Sequence, residues 1–301
     1  MMTTSSPSHP GVGQCAWCGA AVSISDLSCP GCGASIGCST RTTDSGWSEL
    51  APIRDMAKLR VGSSTCQIEG LYVPVADFNL AAGDGVYFAH HSVLWKDPPV
   101  EVRRMPLAGA FSRMLSGLPI VMAEAQGPGH IAFSRDEAGE MIALPLQPGQ
   151  AIDVREHLFL AATHSVGYSW FTTGIWFTTS GGKDSKTHYP CGRFMDRFTA
   201  GEQPGLLLLH AAGNVFIRTL AEGQTLLIKP TAFVYKDPHV HLSLLVNYPT
   251  GASSLYPQRV IWLHLAGPGR VAVQSAYEPM EEGGQSVTST SGQPTIPRRA
   301  W

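Results

Sequence analysis

The sequence predicts an all-β protein: a sandwich or barrel built from three related repeats, preceded by a small N-terminal zinc ribbon. Three observations carry that prediction. Blocks of the chain recur at fixed offsets. Short apolar alternations return roughly every 8–12 residues between Gly, Pro and Asp turns, as a sandwich requires. Two Cys-x2-Cys pairs stand near the start.

The repeats are read by sliding the chain on itself. A shift of 140 residues lays Leu80, Gly83, Lys96, Asp97, Pro98 and Val100 on Leu220, Gly223, Lys236, Asp237, Pro238 and Val240. The same shift lays Gly127-Pro128-Gly129 on Gly267-Pro268-Gly269. A shift of 74 lays Gly139, Leu146, Gly149 and Gln150 on Gly213, Leu220, Gly223 and Gln224. In the Leu-x-x-Gly step a buried Leu ends one strand and Gly permits the tight reversal into the next. The Gly-Pro-Gly sites, with Gln203-Pro204-Gly205 between them, lead into apolar strands Ile131–Phe133, Leu206–Leu209 and Val271–Val273. The first unit, Ser64 to Val100, has no such opening strand of its own. The expectation is that the last strand, Gly267 to Gln274, returns to complete it around a pseudo-threefold axis. The competing arrangement, an open row, leaves an apolar edge exposed.

In chain order, residues 1–14 are polar and expected to be disordered. Residues 15–36 form the ribbon: Cys15-x2-Cys18, ten residues, then Cys29-x2-Cys32. Four thiolates so spaced can close a tetrahedron around one structural Zn(II) per chain. Gly19 and Gly33 follow the second cysteine of each pair, where a knuckle turn needs positive φ. A hairpin is expected around Ala21 to Leu27, and Cys38 is read as a bystander. A module this small needs the metal to fold. Residues 37–59 are a linker, with a short helix expected within Trp47 to Arg60. The β-domain runs over 60–277, with short helices expected at Ala110–Ser116 and Arg193–Phe198. Residues 278–301 lack periodicity and are expected to be a disordered tail.

Composition narrows the function. Charged residues make up 15% of the chain against about 25% in typical proteins. So much uncharged surface favours a homo-oligomer or a protein partner. The net charge is -2, and residues 1–40 hold no Lys or Arg, so nucleic acid is not the expected partner. The start has neither the basic nor the apolar run of a secretory signal, and Gly205 to Ile217 is too short and interrupted for a membrane span. Cysteines Cys38, Cys66 and Cys191 show no disulfide framework, so a reducing cytoplasm is expected, and the lack of a basic, Arg-rich transit segment makes a bacterial one the expectation.

Candidate chemistry outside the ribbon meets structural explanations. Lys96-Asp97-Pro98 and Lys236-Asp237-Pro238 are read as turns, because the middle unit has Ala162-Thr163-His164 there. His239 and His241 flank Val240 on an expected strand, one face of which would present two metal ligands in a cupin-like site. His90 and His91 are expected on opposite faces of a strand. No Gly-x-Ser-x-Gly elbow exists, and Ser180-Gly181-Gly182-Lys183-Asp184 is a hairpin tip rather than a phosphate loop. The aromatic run Tyr168, Trp170, Phe171, Trp176 and Phe177 is read as packing or a partner surface.

Together the Leu-x-x-Gly runs, the Gly-Pro-Gly strands, His90-His91-Ser92-Val93-Leu94-Trp95-Lys96-Asp97-Pro98-Pro99-Val100 and the closing Gly267–Ser275 resemble the AIM twenty-four family (altered inheritance of mitochondria) over residues 60–277. The resemblance implies a compact double-stranded β-helix sandwich, similar in fold to the tryptophan RNA-binding attenuation protein (TRAP-like), with the ribbon as an accessory. The expected function is that of a non-enzymatic scaffold or assembly protein. A cupin-like metal-dependent enzyme and an RNA- or small-ligand-binding module are the alternatives.

Overall fold

A computed structural model describes residues 12–15, 17–23, 26, 28–34, 42–50, 53, 55–105, 122–181, 184–247, 260–278, 280 and 286–290. Among them are strands and two 3-10 turns and no α-helix. The chain divides into two compact units, Met1–Asp136 and Glu137–Trp301.

The first unit opens with β1 (Val12–Gln14) antiparallel to β2 (Ala21–Ser23), followed by the two-residue β3 (Ser48–Glu49). Then come β4 (Ala57–Val61), β5 (Ser64–Glu69), β6 (Val75–Leu80) and β7 (Gly85–Ala89). A 3-10 turn at His90–Ser92 leads to β8 (Val93–Lys96), β9 (Glu101–Arg104), β10 (Met122–Gln126) and β11 (Gly129–Phe133). These strands form two sheets, β4-β5-β6-β11-β8 and β7-β10-β9. Alternation makes the core: Leu59, Cys66, Phe78, Ile131 and Phe133 are fully buried. Phe133 lies edge-on to Phe78 at 5.7 Å and tilted against Phe88 at 4.7 Å.

The second unit holds β12 (Gly139–Leu146), β13 (Ala151–Arg155), β14 (Phe159–Thr163), β15 (Val166–Thr172), β16 (Phe177–Gly181), β17 (Asp184–His188), β18 (Phe194–Ala200) and β19 (Gly205–Ala212). It continues with β20 (Val215–Leu220), β21 (Thr225–Ile228), a 3-10 turn at Pro230–Ala232, β22 (Phe233–Lys236), β23 (His241–Asn247), β24 (Val260–Ala266), β25 (Gly269–Gln274) and β26 (Ser286–Thr290). Its strand β19 is very apolar: Leu206 to Leu209 are completely buried, with β12 and β14 paired on either side.

The threefold repetition is physical. Each repeat consists of two strand triplets. One triplet is β6-β11-β8 in the first repeat, β12-β19-β14 in the second and β20-β25-β22 in the third. The other is β7-β10-β9, β13-β18-β15 and β21-β24-β23. Among the described residues only the middle repeat carries an extra hairpin, β16–β17, whose tip lies at the expected Ser180–Asp184.

This pairing corrects the expected closure. The strand after Gly127-Pro128-Gly129 does not open the second unit. It pairs with β6 and β8 and so completes the first repeat. The last strand pairs with β20 and β22 of its own repeat instead of returning to the first. The first glycine of both Gly-Pro-Gly sites has a steric cause. A Cβ on Gly127 would lie 2.5 Å from the Ala81 carbonyl oxygen, and one on Gly267 would press on Ala221 in the same way.

Other expectations are corrected locally. Residues 12–14 are strand β1, so the segment taken as disordered pairs up to the ribbon. The stretch Trp47 to Arg60 contains β3 and most of β4, and no helix among its described residues. Arg193–Phe198 is not helical either, because Phe194–Ala200 is β18, held between β13 and β15. His90 and His91 sit in a 3-10 turn, not a strand. Within the expected tail, Ser286–Thr290 is β26, antiparallel to β16. Ala110–Ser116 and Cys38 lie outside the described residues.

Candidate metal centre

The ribbon is two matched turns. Gly19 N–H donates to the Cys15 carbonyl and Gly33 N–H to that of Cys29, each at 2.9 Å. Cys15 N–H reaches back to Ala20 O at 2.9 Å, and Cys29 N–H to Ala34 O at 2.8 Å. Gly19 and Gly33 have φ of 72° and 77°, the left-handed region that the sequence pattern predicts. The pairing of β1 with β2 wraps the first knuckle. The hairpin therefore brackets Cys15–Cys18 and does not link the two knuckles as expected. Asp26 stabilises the turn after β2 by accepting Ser23 N–H at 2.8 Å.

These turns aim four sulfurs at one point. The Cys15, Cys18, Cys29 and Cys32 sulfurs all lie within 4.8 Å of one another. Cys15 and Cys32 are 3.7 Å apart, and Cys18 and Cys29 are 3.5 Å apart. Zn–S bonds of about 2.3 Å in a tetrahedron place sulfurs about 3.8 Å apart, so the cluster fits such an ion. Around it Val22, Trp17 and Ala20 form a small apolar cluster. Gly31 lets the loop close, since a Cβ there would touch Ala20 at 3.1 Å and the Cys18 sulfur at 3.4 Å.

The thiols are not equivalent. Burial pushes Cys29 up, but N–H groups of Cys32 and Gly31 and the neighbouring thiols outweigh it and hold it at about 7. Burial raises Cys15 and Cys32 instead, and for Cys32 the surrounding thiols add to the effect. A cation at the centre favours the thiolate in all four. The centre is tied to the β-sheet of its unit where Lys58 N–H, on β4, donates to the Cys32 carbonyl at 2.9 Å.

Among the described residues this is the only group of three or more metal-type side chains close enough to share an ion. His239 and His241 do not form the expected pair on one strand face. Val240 is buried, but His239 lies in the turn before β23, and both imidazoles are exposed. The Lys-Asp-Pro sites are turns, as the sequence suggests. Asp97 N–H donates to His130 O at 2.8 Å, and its carboxylate accepts His130 N–H at 2.9 Å. Asp237 repeats this with Arg270, at 2.9 Å in both directions, and adds a bidentate grip on the Arg270 guanidinium.

One charged cluster has no forewarning in the sequence. Asp153 on β13 is fully buried. It accepts two bonds from Arg197, at 2.6 and 2.9 Å, and one from Lys236 at 2.7 Å. Burial pushes its carboxyl up, yet the two cations outweigh burial and hold it below the usual carboxylate range. Lys236 is lowered, chiefly by its own burial, with Asp153 opposing. Elsewhere in the second unit the carboxylate of Glu156 accepts the Arg193 and Phe194 N–H groups. These acids and bases are engaged with one another and with the backbone.

A sequence profile for the family described as "Mitochondrial biogenesis AIM24" matches residues 66–276. The four cysteines lie outside that span. A crystal structure of a protein from Streptococcus pyogenes is similar in fold, with a TM-score of 0.51 and 19% identity, covering 71% of this chain and 94% of that one. No curated protein sequence matches the chain.

Proposed function

Because the chain belongs to the mitochondrial biogenesis AIM24 family, we propose that it is a non-enzymatic β-scaffold that binds other protein chains, carrying one structural Zn(II) on Cys15, Cys18, Cys29 and Cys32. The observation that carries this reading is the four-sulfur cluster within 4.8 Å. Four protein thiolates fill a tetrahedral ion and leave no position for substrate or water, which is the structural rather than the catalytic form of a zinc site. The metal would supply folding energy to a module whose apolar cluster is only a few residues.

For the repeats, the supporting facts are that their buried charges serve the fold and that few charges cover the chain, 15% in all. A sparsely charged surface favours protein contact. Cys66 and Cys191, buried and outside any disulfide, fit a reducing cytoplasm. No helix among the described residues is long and apolar enough to cross a membrane.

The test is affinity purification of the tagged full chain from its own cells, with the size of the recovered species measured in the same sample. A defined protein partner or oligomer is expected. A monomer that stays monodisperse at high concentration and recovers no partner contradicts the scaffold reading.

A further inference from the structure

β8 and β22 are the same element 140 residues apart, Val93-Leu94-Trp95-Lys96 and Phe233-Val234-Tyr235-Lys236. Their surroundings differ. β22 is flanked on one side by β25 and on the other by β13, and all four of its residues are buried. The middle repeat's version, β14, is buried along its whole length. β8 has β11 on one side and, among the described residues, no strand on the other. Leu94 is 55% exposed, Trp95 42%, and Lys96 is exposed as well. A strand edge bearing a large aromatic and a leucine is one that folded proteins normally cover.

The third repeat displays what such an edge accepts. β13 lies antiparallel on β22 with Asp153 opposite Lys236 and Val154 opposite Tyr235. Both lysines reach the carbonyls of the following turn: Lys96 those of Val100 at 3.1 Å and Asp97 at 3.4 Å, Lys236 those of Pro238 at 3.3 Å and Asp237 at 3.4 Å. Lys236 also takes the Asp153 carboxylate at 2.7 Å. Lys96 has no carboxylate among the described residues.

We propose that the outer edge of β8 is a docking site for an extended segment of a partner protein, one that places a carboxylate opposite Lys96 between apolar residues. Main-chain hydrogen bonds to the strand edge would provide affinity and the acid would fix the register. A second copy of this chain is the poorer occupant. Its counterpart of β13 is β21, which has Leu227 where β13 has Asp153 and so brings no acid to Lys96.

This inference rests on reading the chain as a protein-binding scaffold, and its test separates the two. The probe is a capped synthetic peptide of residues Gln150–Glu156, beside the same peptide with Asp153→Lys, each added to the full chain. The readout is amide hydrogen exchange at Leu94 to Lys96. The aspartate peptide is expected to slow exchange there at least about threefold, and the lysine peptide to leave it unchanged. In a Lys96→Glu chain the preference should invert. Protection by neither peptide, or an unchanged preference in the variant, overturns the proposal. Partners captured equally well by wild type and Lys96→Glu also overturn it while leaving the scaffold reading standing. An inverted peptide preference in a chain that captures no partner supports the edge and counts against the scaffold.

Discussion

Asp153 and Lys236 meet at 2.7 Å across β13 and β22, although 83 residues separate them in the chain. With Arg197 they form a charge cluster at the junction of the second and third repeats, and only the arginine, 38% exposed at its side chain, reaches solvent. A buried pair of this kind contributes little compared with an apolar replacement, but breaking it leaves a charge without a partner.

Replacing Asp153 by Asn therefore strands the Lys236 ammonium. The expected cost is about 3–5 kcal/mol, read as a lower denaturant midpoint. Adding Lys236→Met to Asp153→Asn should recover part of that loss, and a double variant no better than the single one would argue against the pairing.

The same carboxylate makes stability depend on acid. Its pKa in the folded chain lies below the ordinary value, because Arg197 and Lys236 outweigh burial. The unfolded chain therefore binds the proton first. The stabilisation is complete above the ordinary carboxylate pKa and fades as pH falls through the lower folded value. Denaturation curves from neutral to acid pH should show this loss in the wild type, and a smaller one in Asp153→Asn/Lys236→Met.

Gly267 and Gly223 make a matched steric test. At Gly267 a Cβ would meet Ala221 and Leu220 atoms at distances that backbone must move to relieve, whereas at Gly223, with φ of 74°, it meets nothing within 4 Å. Gly267→Ala should cost about 1–3 kcal/mol by overpacking. Gly223→Ala should cost only the left-handed backbone penalty, about 1–2 kcal/mol. Equal midpoints for Gly267→Ala and wild type would show that β25 does not close on β20 as described.

Strand β26 covers one edge of β16, with Phe177 opposite Thr290 and Ser180 opposite Ser286. A chain ending at Gly283 should exchange the amides of Phe177 to Ser180 faster. It should also associate with rising concentration in sedimentation, since an uncovered edge pairs with other strands. Unchanged exchange would mean that β26 does not occupy that edge.

How much of this is legible in the sequence follows from range. Leu80/Leu220, the Leu-x-x-Gly steps and the Gly-Pro-Gly sites announce three repeats because turns impose local chemistry on local sequence. Which neighbour a strand joins is not local. Gly129–Phe133 closes the repeat behind it, and nothing in its five residues says so. In the sequence Asp153 is the polar half of an ordinary alternation with Ile152 and Val154, and its two cations are 44 and 83 residues away. β26 carries Ser and Thr without apolar alternation and pairs through its backbone, so periodicity misses it. The cysteine spacing, by contrast, encodes its own geometry, and the four sulfurs gather as the spacing predicts. His239 failed the same kind of reasoning because Asp237-Pro238 places it in a turn.

The most direct test of the account is elemental analysis of the purified full chain and of a Cys15→Ser/Cys29→Ser variant. The account places a zinc ion in the ribbon, so it predicts one zinc per chain in the wild type and none in the variant. Zinc unchanged in the variant would contradict the assignment of Cys15, Cys18, Cys29 and Cys32 as the ligands.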